Sequence, residues 1–150
     1  VRGRLFGLTP ADFNGDGKLD LALGFGATDS EVKLTLLKLD ADKQFKAFEG
    51  SPVAKGRLLD LALDDLDRDG DLDLIASEDI PDGGSTMTLW VNSGRGQFGE
   101  ATEAQRSLRD AMGEFRATNL SLADFTGDGR PDLLAIDRDG NVVIVRTTLP

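Results

Sequence analysis

The 150-residue sequence contains no cysteine, no histidine and no tyrosine. Without cysteine there are no disulfides and no thiolate metal sites, and redox chemistry says nothing about compartment. Without histidine the commonest general base and the usual zinc ligand are missing. Ser–His and Cys–His nucleophile pairs are excluded with it. No run approaches the roughly 18 apolar residues of a membrane span, so no membrane insertion is expected. Basic residues are also scarce: Lys and Arg total 17 against 27 Asp and Glu, a formal charge of −10. Nucleic acid and anionic membranes require a basic face, so neither is an expected partner. An acidic chain with no thiolate or imidazole ligands suits hard cations instead. The sequence opens on Val1 rather than Met, which we read as a processed product or a piece of something longer.

What is present is a repeat. An Asp-rich, Gly-containing nonapeptide occurs at residues 12–20, 65–73 and 124–132. Its flanks repeat as well. Alternating apolar stretches precede it at 5–13, 58–66 and 118–125. Short apolar runs follow at 19–23, 72–76 and 133–136, and a third stretch lies at 32–39, 86–91 and 142–145. These runs are strand-sized and bounded by Gly and Asp, which marks them as strands. Asp139-Gly140 predicts a hairpin turn in the last copy. A weaker fourth strand is expected around Phe45 and Phe98, and a short helix or irregular connection over 99–114. The third copy ends before any fourth strand.

One domain is expected over 1–150, with repeats near 1–53, 54–114 and 115–150. Each repeat makes an antiparallel sheet, and a lone sheet of this size cannot cover both of its faces. Radial stacking solves that problem and suits a period of this length, ahead of the alternative of a sandwich built from hairpins. The expected fold is therefore all-β: a propeller-like array of about three four-stranded blades, the last incomplete, forming part of a larger or assembled propeller.

The loops carry the chemistry. Calcium takes six to eight oxygens in flexible geometry. The first loop offers Asp12, Asn14, Asp16 and Asp20, with the Lys18 carbonyl. The second offers Asp65, Asp67, Asp69 and Asp73, with the Asp71 carbonyl. The third offers Asp124, Thr126, Asp128 and Asp132, with the Arg130 carbonyl. Gly17, Gly70 and Gly129 hold the sixth position, where a tight turn needs freedom from Cβ restriction. An EF-hand would place Glu at the twelfth position, but Leu23, Ala76 and Ala135 stand there. The ninth residue, at the start of a strand, must supply any bidentate carboxylate. Up to three Ca²⁺ are expected. The second loop, richest in acids, should bind best. The third, with Thr126 and neighbouring Arg130, should bind worst.

These loops, followed by Leu and small apolar residues, resemble the FG-GAP/VCBS-type repeat. In the first copy the likeness continues through Gly24-Phe25-Gly26-Ala27. Ala76-Ser77-Glu78 departs from that string, and Thr126 replaces the usual acid or amide. The resemblance implies a β-propeller like those of integrin α heads, with calcium in the loop between the first and second strands of a blade. It also implies an extracellular or cell-surface setting with roles in adhesion, recognition or scaffold assembly. The expected partner is a protein, a glycan or another copy of the chain, since an unfinished blade exposes a strand edge. The competing expectation is a calcium-dependent polysaccharide-acting lyase or hydrolase, or its carbohydrate-binding domain. Against an enzyme stands the absence of any nucleophile or P-loop motif. Trp90, mid-strand between Leu89 and Val91, is read as a packing residue rather than a sugar platform.

Overall fold

The computed structural model describes residues 4–26, 32–49, 51–52, 56–80, 84–112 and 115–147. Among these residues it is all-β apart from one helix, α1 (Thr102–Met112). The first sheet runs β1 (Arg4–Ala11), β2 (Asp20–Gly26), β3 (Lys33–Leu39) and β4 (Phe45–Ala47), in that spatial order. The second repeats it with β5 (Arg57–Asp64), β6 (Asp73–Asp79), β7 (Ser85–Asn92) and β8 (Phe98–Glu100). The third has three strands among the described residues: β9 (Asn119–Ala123), β10 (Asp132–Ile136) and β11 (Val142–Arg146). All pairings are antiparallel. Each sheet is thus one meander, built as the repeat predicts.

Two boundaries move. The first strand of each copy ends earlier than the apolar pattern suggests, at Ala11, Asp64 and Ala123. Phe13 and Leu66, at the second loop position, leave their strands to pack on the neighbouring sheet's cluster. Their apolar character therefore reports packing between sheets rather than strand. The stretch at 99–114 resolves into the end of β8 and α1, whose Leu108 and Met112 are buried against the third sheet's cluster.

Burial along the second strand of each sheet shows how the sheets stack. From Asp73 to Glu78, β6 is buried at every residue, so its sheet is covered on both faces. β9 and β11 alternate exposed and half-buried, as strands with one covered face do. Two clusters fill the gaps. One joins the first and second sheets through Ala22, Leu34 and Leu36 against Leu61, Leu74, Ala76 and Trp90. The other joins the second and third through Ile75, Met87 and Leu89 against Leu133 and Ala135, with α1 at its edge. Trp90 is only 4% exposed within the first cluster, as its mid-strand position predicts. β5 contacts both β1 and β9, so the first strands lie side by side as the inner edges of three blades. Asp60 on β5 accepts a 2.7 Å hydrogen bond from the Leu120 amide on β9, tying two of those edges together.

The two terminal faces have no neighbour among the described residues. The large exposed hydrophobics are Leu8, Leu19, Phe25, Phe45, Phe125, Val142 and Ile144. The first four lie on the outer face of the first blade and the last three on that of the third. Their repeat equivalents inside the stack are covered. Leu61 and Leu72 match Leu8 and Leu19 and pack in the first cluster. Leu89 and Met87 match Ile144 and Val142 by strand register and are buried in the second.

Candidate metal centre

Each Asp loop joins the first and second strands of its blade, at one end of the sheet. The glycine at the sixth position has φ of +80°, +95° and +79° in Gly17, Gly70 and Gly129. This is the left-handed region that the turn was predicted to need. The ninth residue is the first of the second strand in every copy: Asp20, Asp73 and Asp132, each essentially buried. A buried carboxylate must find donors. Asp20 takes the Leu39 amide at 2.9 Å, and the Phe13 amide also favours its charged form. Asp73 takes the Leu66, Asp67 and Asn92 amides at 2.8, 3.3 and 2.9 Å. Asp132 takes the Thr126 amide at 2.9 Å. The ninth acid thus binds its own loop to its strand, and in the first two blades it also reaches the end of the third strand.

The fifth acid plays a uniform part too. Asp16, Asp69 and Asp128 each accept from the amide two residues on, those of Lys18, Asp71 and Arg130, at 2.9 to 3.0 Å. Such bonds are the Asx turns that acids favour in loops.

The loops diverge at the first acid. In the first loop both Asp12 oxygens accept amides, from Asp16 at 3.2 Å and Gly17 at 2.8 Å. In the third, Asp124 accepts three, from Gly127, Asp128 and Gly129. In the second, Asp65 Oδ2 accepts only Gly70 N at 3.1 Å, and Oδ1 is buried with no partner. Asp65, Asp67 and Asp73 here bring one oxygen each within 4.8 Å of one another. Among the described residues this is the one carboxylate group that converges closely enough to hold a metal. Asp69 and Asp71 of the same loop are outside that trio, as are all the candidate ligands of the first and third loops. In the first loop Asn14 Oδ1 accepts the Asp16 amide at 2.9 Å, and Lys18 Nζ sits 3.4 Å from Asp16 Oδ2.

Electrostatics follow the geometry. Burial is the largest influence on Asp73 and pushes its carboxyl up to about 6, against its amide donors and with added repulsion from Asp67. Burial also raises Asp67, which meets the charges of Asp69 and Asp65. Asp20 is raised first by burial, then by Asp16 and Asp12, and its Oδ2 is buried without a partner. Asp124, fully solvated, is lowered by the Gly129 amide foremost. Burial and mutual repulsion thus strain one carboxylate of the first loop, Asp20, and two of the second, Asp67 and Asp73.

Two features escaped the repeat pattern. Asn92 is fully buried at the end of β7 and donates from Nδ2 to the Phe13 and Leu72 carbonyls. Nothing in its neighbourhood along the chain marks it. Arg57 and Arg116 both bind Asp79, Arg57 at 2.6 Å, so a single carboxylate ties the start of β5 to the segment leading into β9. Here a signal was present: Arg4, Arg57 and Arg116 each stand eight residues before a loop.

No curated protein matches the chain. The model of the FG-GAP-like repeat family matches residues 12–76 and 65–135. Each match begins on the first acid of one loop and runs into the second strand of the next blade. Asp loops at a fixed place in stacked antiparallel blades, together with matches spanning most of its length, make this chain a member of the FG-GAP-like repeat family.

Proposed function

We propose that the chain is a calcium-binding β-propeller module, extracellular or at a cell surface, serving adhesion, recognition or scaffold assembly. The observation that carries this reading is the convergence of Asp65, Asp67 and Asp73 around a buried oxygen of Asp65 that has no hydrogen-bond donor. The donor set fits the ion. It is all oxygen, carries formal charge, and is strained by burial in the absence of a counter-charge. Calcium tolerates irregular oxygen shells, whereas magnesium demands a small octahedron. When bound, the ion supplies charge neutralisation and a cross-link. The chain's own residues position it: Asp73 from the strand, and Asp65 and Asp67 from the loop. The Asn14, Asp16, Lys18, Asp69, Asp71, Thr126, Asp128, Arg130 and remaining loop oxygens complete up to three such sites on this reading, the third weakest.

The localisation rests on affinity. Extracellular calcium modules work at about 10⁻⁴ to 10⁻³ M, levels the cytosol does not reach. The partner is a protein or a glycan, and the bare outer faces of the first and third blades fit a further blade of the same repeat. Melting in EDTA against melting in millimolar calcium tests the reading. One site with a Kd on the order of 10⁻⁴ M contributes about 1.4 kcal/mol at about 1 mM calcium, enough to raise the midpoint by several degrees. Equal midpoints would reject it.

A further inference from the structure

The three loops are joined to one another by side chains that belong to none of the ligand positions. Asn92 sits one residue beyond the pair to Asp73 at the end of β7 and is fully buried. Its amide nitrogen donates 2.9 Å to the Phe13 carbonyl and 3.2 Å to the Leu72 carbonyl. Phe13 lies between Asp12 and Asn14 in the first loop, and Leu72 between Asp71 and Asp73 in the second. Its own backbone amide holds Asp73 Oδ1. Both side-chain partners are carbonyls, so the amide cannot be turned over without putting oxygen against oxygen. One residue thus grips the first loop, the second loop and a carboxylate of the second.

A second tie runs the other way. Arg68, fourth in the second loop, donates from Nη2 to the Gly129 carbonyl of the third loop at 3.0 Å. The equivalent residues are Gly15 and Gly127, and all three positions have positive φ: +69°, +68° and +76°. Arginine in that backbone region is strained where glycine is not. The second loop keeps it, and its side chain spans to the neighbouring blade.

The corresponding end-of-strand residues are Leu39 in the first blade and Thr147 in the third, by strand register. Leu39 has no donor on its side chain. The Thr147 hydroxyl donates to the Pro131 carbonyl, the counterpart of Leu72, within its own blade. An amide is what reaches both loops at once.

We propose that Asn92 and Arg68 couple the three cation loops, so that filling the second loop raises the affinity of the first and third. The inference rests on the calcium reading above and concerns how its sites communicate. A cation at Asp65, Asp67 and Asp73 fixes the strand end that carries Asn92 and the loop that carries Arg68. The first and third loops then bind with part of their ordering already supplied. By reciprocity, filling either of them strengthens the second. Coupling of this kind amounts to roughly a five- to tenfold change in affinity, at the low end of known values.

The glycine amides of Gly17, Gly70 and Gly129 give one NMR reporter per loop. Calcium titrations would follow them in the wild type, in Asp67→Asn, in Asn92→Thr and in the double variant. Threonine is chosen because the third blade already uses it to hold its own loop alone. The expected result is that Asp67→Asn weakens the first loop about fivefold in the wild-type background and not in the Asn92→Thr background. Arg68→Gly places the residue of the other two loops and relieves strain; it should uncouple the third loop from the second. Should Asn92→Thr fail to fold, Arg68→Gly decides the question alone. If Asp67→Asn leaves both other loops unchanged, or the same coupling survives both substitutions, the relay is wrong while calcium binding stands. If no reporter responds to calcium at all, the reading beneath it falls as well.

Discussion

At the scale of single residues, the molecule spends its acids in two ways. Most loop acids hold amides and shape a turn, while Asp65, Asp67 and Asp73 are also gathered close together, with one Asp65 oxygen buried and without a donor. Asp79 shows a third use. Burial is its largest single influence and would raise its carboxyl, but the hydrogen bonds from Arg57 and Arg116 together outweigh it, so the net shift is downward. A carboxyl lowered on folding contributes stability above its unfolded value, near 4, and loses that contribution as pH falls through its folded value. Asp79→Asn should therefore cost about 1–2 kcal/mol at pH 7, discounted because the Arg116 side chain is 43% exposed, and much less near pH 3. Urea unfolding at the two pH values checks this; an equal cost at both would mean that the charge is idle.

At the scale of elements, the strands were legible from alternation and the loops from acid spacing. The left-handed glycines of the sixth position were legible too, because Gly17, Gly70 and Gly129 recur without exception. What the spacing could not reveal is that three loops of nearly one pattern differ in their bonds. Asp12 and Asp124 turn both oxygens to their own loops, whereas Asp65 leaves one free, a matter of local hydrogen bonding that motif letters do not encode. Asn92 was invisible for a related reason: its partners lie 79 and 20 residues away. Phe13 and Leu66 were read as strand ends because an apolar residue beside a strand looks like part of it, yet each is a plug between blades. Among the described residues the strand that bears Asp73 is the most covered, and Leu74 beside Asp73 is wholly buried. Leu74→Ala should destabilise the chain by about 2–5 kcal/mol, the range for a cavity left in a packed core. Because Leu74 adjoins a proposed ligand, calcium should restore part of the lost melting temperature. A loss that calcium does not offset would separate the strand's packing from the site.

At the scale of the whole molecule, the stack is unfinished in a specific way. Its inner interfaces are apolar and repeat-related, and the same positions stand uncovered at both ends. The outer face of the first blade is of the kind that packs on a preceding blade, and that of the third is of the kind that receives a following one. Two copies can therefore meet head to tail, a heterologous contact between unlike faces. The isolated chain should associate as its concentration rises, measured by light scattering. Ile144→Glu or Phe45→Glu should shift it toward monomer with little change in melting temperature, since both side chains are about half exposed. A wild type that stays monomeric at high concentration would show that these faces do not recognise each other across chains.

A hard divalent ion resting among the carboxylates of the second loop is the centre of the proposed function. Calorimetric titration of the metal-free chain with calcium at neutral pH measures this directly. The expected isotherm saturates by a few millimolar, with no more than three equivalents bound and the tightest lost in Asp73→Asn. A chain that takes up no calcium across that range, or whose tightest site survives Asp73→Asn unchanged, would contradict it.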